Sequence, residues 1–283
     1  MTVLLSVIIP TYGRAEQTLG AVQSVLAQDV DCEILVVDDA SPTPDPRLEK
    51  LEGVRLIRRP VNGGAGAARN TGLDHARGRF VCFLDSDDRM LPGTLARRLE
   101  TARTGARDGS GRARIFGCGW REFGERQRRR IPKPSARRTD FFSSCWFAPG
   151  SCIIAPASVF SGSGSRFDES LRRLEDFELY ARLSINGLEL VTDPVIAVEV
   201  SIGGAPSEGA VKTAIAQILG SFGDWKKQGR IGEGEIAAAR AYLAYELAAI
   251  ERRNGRVLPA LGHLAASLWH KPRLSLFPGP GWM

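Results

Sequence analysis

Asp85-Ser86-Asp87-Asp88 follows directly on the apolar run Phe80-Val81-Cys82-Phe83-Leu84. Three carboxylates therefore stand at the end of what reads as a buried strand, and strand ends of α/β sheets are where ligands bind. Clustered carboxylates repel one another and lose solvation, so a hard divalent cation is their expected companion. Such an ion can also grip a diphosphate. Taken alone, the four residues also fit a solvated acidic turn or a helix N-cap.

Other segments converge on strand ends in the same way. Val36-Val37-Asp38-Asp39-Ala40-Ser41 closes a second apolar run, and Ser6-Val7-Ile8-Ile9-Pro10-Thr11-Tyr12-Gly13-Arg14 closes the first. Asn62-Gly63-Gly64 runs into Ala68-Arg69-Asn70-Thr71-Gly72. An aromatic such as Tyr12 can stack on a nucleobase. A carboxylate such as Asp39 can accept the imide N–H of uracil or cap a turn. Arg69 can reach a base or diphosphate, or make a surface salt bridge. Gly63, Gly64 and Gly66 permit close backbone approach or form an ordinary loop. Neither a Gly-Lys-Ser/Thr phosphate loop nor a strand-linked GxGxxG is present. Downstream, Leu174-Glu175-Asp176 opens a helix, where both carboxylates suit the N-terminal dipole and Asp176 is expected to be ionised. Asp88 is expected at a helix start, and Glu169 and Glu178 on solvent-facing positions.

These residues need a scaffold of alternating strands and helices. Strands are expected at Val3–Ile9, Cys32–Val37, Val54–Ile57 and Phe80–Leu84, with helices at Ala15–Ala27 and Gly64–Ala76 and another opened by Pro92. Pro42, Pro44 and Pro46 stiffen a loop. Such alternation implies a mainly parallel sheet covered on both faces. Further on, strands are expected at Ile115–Gly119, Ser151–Ala155 and Val195–Val200, and helices at Glu175–Ile185, Val211–Trp225 and Glu235–Ile250. The expected domains are 1–205, with halves 1–105 and 106–205, and a helical extension over 206–283.

At 283 residues and 43% hydrophobic content the chain can bury a full core. No run is long enough to span a bilayer as a helix, and no secretory leader is evident. Five cysteines without CxxC spacing fit free thiols in a reducing cytosol, and the three histidines match no ligand spacing. The net charge of +6 is local, because the stretch 121–138 holds eight Lys or Arg against two Glu. With Phe123 as its one aromatic, that stretch argues against nucleic acid. It reads as a charged insertion, either solvated or facing an anionic lipid or phosphorylated acceptor.

Together the motifs closely resemble the nucleotide-binding half of family 2 glycosyltransferases, strongly over residues 3 to 100 and moderately over 140 to 200. The resemblance implies a GT-A (Rossmann-like) α/β fold with a C-terminal helical extension. It implies an inverting, metal-dependent hexosyltransferase of polysaccharide biosynthesis. A sugar would move from a nucleoside-diphosphate donor, UDP favoured, to a hydroxyl of a glycan, lipid-linked or small-molecule acceptor. Pro10, Tyr12, Arg14, Asp39, Arg69, Asp85 and Ser86 would bind donor, and Asp87 would ligate Mg²⁺ or Mn²⁺. Asp176 matches the family's catalytic base. Trp146, Gly150 and Glu175 would lie on the acceptor side. A nucleotidyltransferase on a related fold and a non-catalytic nucleotide-sugar or glycan binder remain as alternatives.

The end of the chain, Val257–Met283, contains Leu258, Leu261, Leu264, Leu268 and Trp269 and no acidic residue. A peripheral membrane foot, packing onto the core and a homodimer contact are all open for it. The expected location is cytoplasmic, with peripheral contact at the inner face of the membrane.

Overall fold

The computed structural model describes residues 3–106, 111–123, 128–143, 150–162, 164–201 and 207–270. The first half alternates as expected, through β1 (Leu5–Thr11), α1 (Ala15–Leu26), β2 (Glu33–Asp38), the single turn α2 (Pro46–Glu49), β3 (Val54–Arg58), α3 (Ala65–His75) and β4 (Phe80–Phe83). A two-residue strand β5 (Arg89–Met90) and α4 (Leu95–Gly105) complete it. The second half holds β6 (Arg114–Phe123), β7 (Arg129–Arg130), α5 (Arg138–Ser143), β8 (Ile153–Pro156), α6 (Glu175–Ile185) and β9 (Glu189–Ser201). Three helices follow, α7 (Glu208–Lys227), α8 (Glu233–Arg253) and α9 (Val257–His270).

Among the described residues one sheet runs β3-β2-β1-β4-β8-β6-β9-β5, with β7 pairing β6 off the path. β1 is parallel to β2 and β4, placing Ile8 opposite Leu35 and Phe83. β1 and β4 are buried on both faces and therefore read as continuous apolar runs. Opposite faces of β1 feed two cores: Ile8 joins Phe83, Phe160, Phe167 and Tyr180, while Leu5, Val7 and Ile9 join Val22, Val25 and Leu99. Helix α3 can approach β1 because Gly72 carries no Cβ, which would lie 2.4 Å from Ile8. The parallel β6–β9 pairing shifts register around Gly119, opposite a stretch of β9 containing Pro194. Proline has no N–H to give a ladder, which suits such an irregularity.

Helices α7 and α8 share a third core with the second half. Phe142 from α5 and Phe177 from α6 pack with Phe222, Trp225 and Tyr242, the Phe177 and Tyr242 rings lying 4.7 Å apart. The core is therefore continuous across residue 205. The basic stretch is no free insertion: Arg121 pairs with Glu199, Arg130 with Glu122 and Arg138 with Glu235. Glu178, expected in solvent, is buried at 4% exposure and paired with Arg182 at 2.7 Å. Glu169 keeps a half-exposed side chain. The four described cysteines are free thiols, three of them buried; Cys145 lies outside the described residues.

Candidate active site

The ends of β1, β2 and β4 open into a cavity of about 890 Å³. Its walls include Pro10, Tyr12, Arg14, Asp39, Arg69, Asp85, Ser86 and Asp87 from the first half, and Glu175 and Asp176 from the second. Every donor-side residue expected from the sequence, together with Asp87, Glu175 and Asp176, thus faces one space. Gly150 stands close by, at φ +65°, with its would-be Cβ 3.5 Å from the Asp85 carboxylate. Trp146 lies outside the described residues.

Arg69 joins the two halves. It is 4% exposed and donates to Glu175 Oε1 and to Asp85 Oδ1, both at 2.7 Å. Its guanidinium also lies 5.4 Å from the Phe167 ring centre. It is not a surface ion pair but the clamp between the two carboxylate motifs. The next residue fastens the same joint: Asn70 Nδ2 donates to the Phe167 carbonyl at 2.9 Å, and Phe167 N–H donates to Asn70 Oδ1 at 3.0 Å. Helix α3 therefore fixes the segment leading into α6. That helix begins after Leu174, whose φ of +60° is unusual for a bulky side chain. Such strain persists where surrounding contacts impose it, and here it aims Glu175 and Asp176 at the cavity.

Burial and the neighbouring Glu175 push the Asp176 carboxyl up to about 7, against the opposing pull of Arg69 and the Phe177 N–H. The expectation that the helix dipole keeps Asp176 well ionised is therefore corrected, because desolvation outweighs it. A carboxyl near neutrality is well matched to accept a proton.

Asp88 is likewise not a helix start. It is 4% exposed, accepts from Ser151 Oγ at 2.5 Å and Ser201 N–H at 2.8 Å, and is pushed up to about 8 by burial and Asp85. Ser151 Oγ also accepts from Asp85 N–H at 3.0 Å. Asp88 thus braces the ends of β8 and β9 behind Asp85. Asp39 holds its own loop: its carboxylate accepts from Gly63 and Gly64 N–H and pairs with Arg59. A carboxylate has about four acceptor positions, so a base contact at Asp39 has to share them. Arg59 and the backbone of Gly63 and Gly64 were missed as partners because a loop contact leaves no periodic signal.

Asp87, the carboxylate expected to ligate a cation, lies on the cavity wall. Its Oδ2 pairs at 2.9 Å with Arg14, whose side chain is half exposed. A positive group thus already sits on Asp87, on a long stem that can swing away. Among the described residues no three His, Cys, Asp or Glu form a closed metal cage. The set fits a hard divalent ion held by one or two carboxylates and completed by substrate phosphates.

The sequence profile described as Glycosyl transferase family 2 matches residues 6–162, more than half of the chain. The chain therefore belongs to glycosyl transferase family 2. It is 34% identical over 200 residues to the succinoglycan biosynthesis protein ExoO of Rhizobium meliloti, covering 66% of this chain and 57% of that protein. It is 42% identical over 98 residues to the Escherichia coli UDP-Glc:alpha-D-GlcNAc-diphosphoundecaprenol beta-1,3-glucosyltransferase WfgD, covering 32% of this chain and 38% of that protein. The alignments thus span little more than half, or less, of these relatives' lengths. Staphylococcus aureus TarS 1–349, solved in complex with UDP-GlcNAc, superposes with a TM-score of 0.60 at 18% identity, over 93% of this chain and 81% of that one. The fold is that of GT-A enzymes.

Proposed function

We propose that this protein transfers a sugar, with inversion, from a nucleoside-diphosphate donor to an acceptor hydroxyl in polysaccharide assembly. UDP is the favoured nucleotide. The observation that carries this reading is the Arg69 bridge, which brings a donor-side carboxylate and the Glu175-Asp176 pair onto one cavity. Relatives named for succinoglycan biosynthesis and for glucosyl transfer from UDP-Glc support it.

In this scheme Tyr12 stacks on the base, and Arg14 leaves Asp87 as the diphosphate arrives. Asp87, with Asp85 beside it, would hold Mg²⁺ or Mn²⁺, which when bound neutralises charge on the departing diphosphate. Asp176 accepts the proton of the acceptor hydroxyl as that oxygen bonds to the sugar C1. The bond from C1 to the diphosphate oxygen breaks on the opposite face, and the nucleoside diphosphate leaves with its electron pair. One displacement inverts the centre. Arg69 orients Glu175 and tempers the negative charge around Asp176.

The direct test is release of UDP from a panel of UDP-sugars with Mn²⁺, with and without acceptor. Turnover of a UDP-sugar supports the reading. Binding without turnover marks a binder, and pyrophosphate release from a nucleoside triphosphate marks a nucleotidyltransferase.

Contact with an anionic lipid surface belongs to the same proposal. Among the described residues no helix is long and apolar enough to cross a membrane. Helix α9 nevertheless shows Leu258 at 81% and Trp269 at 86% exposure, with Val257 and Leu261 also exposed and no acidic residue along it. Arg252 precedes it on the surface. An exposed apolar stripe beside a cationic residue suits the interface of anionic lipid. Leu258→Glu together with Leu261→Glu is expected to abolish sedimentation with phosphatidylglycerol vesicles. Unchanged sedimentation would remove the lipid contact, and a dimer-to-monomer change would assign the stripe to a second copy.

A further inference from the structure

The arginines of the cavity differ in how they are matched. Arg14 pairs with Asp87, Arg59 beside the cavity pairs with Asp39, and Arg69 pairs with both Asp85 and Glu175. The wall also includes Arg172, held at the Asn62 loop, Arg173 and, from α8, Tyr242, Glu246 and Arg253. The α8 residues are spaced by four and seven, which puts them on one helical face.

Among the described residues no carboxylate lies within ion-pair distance of Arg172, Arg173 or Arg253. Arg172 instead bonds to neutral oxygens, the side-chain and backbone carbonyls of Asn62, at 2.9 and 3.2 Å. Glu246 is near enough to Arg173 and Arg253 to feel both charges, yet it is bonded to Tyr242 and burial raises its carboxyl above the ordinary range. One carboxyl does not balance the two guanidiniums of Arg173 and Arg253. The wall formed by Arg173, Glu246 and Arg253 therefore carries more positive than negative charge. Guanidiniums in such a setting bind phosphate oxygens through paired, charge-assisted hydrogen bonds.

We propose that Arg173 and Arg253 form an acceptor subsite for a phosphate or diphosphate group carried by the acceptor, with Tyr242 and Glu246 as its floor. The inference rests on the cavity being a glycosyl-transfer site. It gives the C-terminal helices a role in choosing the acceptor. A diphosphate could reach the subsite on a lipid carrier or on a water-soluble sugar phosphate, and the anion is the chemistry common to both.

The test is titration calorimetry on full-length protein first saturated with UDP and Mg²⁺, so that the donor's own phosphate site is filled. The probes are farnesyl diphosphate, inorganic pyrophosphate and farnesol. Wild type is expected to bind both diphosphates and not farnesol; tighter binding of farnesyl diphosphate than pyrophosphate assigns a lipid carrier, and equal binding assigns a soluble phosphate. In Arg173→Ala/Arg253→Ala, diphosphate affinity should fall about tenfold or more for each guanidinium lost. UDP affinity and the melting temperature should hold, since both side chains are exposed. Diphosphate binding unchanged in the double variant would overturn the subsite. So would a matching loss of UDP affinity, which would assign the arginines to the donor. Wild type that binds UDP but no further diphosphate sinks only the subsite, whereas wild type that binds no UDP sinks the transfer reading beneath it.

Discussion

Replacing Arg69 with methionine removes a guanidinium that bridges Asp85 and Glu175 at 2.7 Å each. Methionine keeps the stem but leaves two carboxylates facing each other, with Asp176 beside them. Removing one partner of a buried ion pair typically costs about 3–5 kcal/mol. Here the Asp85 side chain is 38% exposed, so water relieves part of its loss, whereas Glu175 at 12% has little relief. Loss of the contact with the Phe167 ring adds about 0.5–1 kcal/mol. The expected destabilisation is therefore about 3 kcal/mol, or roughly 6–12 °C in melting temperature. Arg69 also lowers the Asp176 carboxyl, which stands at about 7. Without Arg69 that value rises, so less of the base is ionised at neutral pH and the rising limb of the pH–rate profile moves to higher pH. Urea unfolding and the profile of kcat/KM measure both effects. A stability loss below about 1 kcal/mol with an unmoved limb would refute the clamp.

Asp87→Ala is expected to fold normally, since its side chain is partly exposed, and to lose the Mn²⁺ dependence of UDP-sugar binding. Unchanged donor affinity and unchanged inhibition by EDTA would remove Asp87 from cation binding. Asp176→Asn makes a prediction about stability. The folded Asp176 carboxyl, at about 7, lies above its ordinary 3.8, so its contribution to wild-type stability is intact below about pH 4, falls as pH rises from there, and is fully lost by about pH 7. The variant should therefore match wild type near about pH 4 and be the more stable near about pH 8, by at most roughly 4 kcal/mol. An Asp176→Asn protein that is less stable than wild type near about pH 8 would show that the carboxylate serves folding rather than chemistry.

The first half was legible because its strands are buried on both faces, so Leu5–Thr11 and Phe80–Phe83 announce themselves as unbroken apolar runs ending in turn residues and carboxylates. Site residues at strand ends inherit that clarity. Contacts distant in sequence do not. Nothing local to Arg69 says that it meets Glu175, 106 residues away. Glu178 looks like a surface residue until Arg182 neutralises it and lets it be buried, and Asp88 looks like a helix cap until Ser151 and Ser201 take its oxygens. β5 is two residues long and exists through β9, too short to leave a periodic trace. The α8 wall was missed for a related reason. Tyr242, Glu246 and Arg253 share a helical face, but the sequence does not say that this face meets the mouth of a cavity built by another half of the chain.

The central claim is that Asp176 accepts the acceptor's proton. The most direct measurement is kcat/KM for sugar transfer by wild type and Asp176→Asn from about pH 5.5 to about pH 9, with UDP affinity measured alongside. Wild-type kcat/KM should rise through about 7, where Asp176 ionises. The variant should be about 10²–10⁴-fold slower, without that rise, and should bind UDP as wild type does. Turnover of Asp176→Asn within a few-fold of wild type, with the same rise retained, would contradict the assignment and move the search for the base to Glu175.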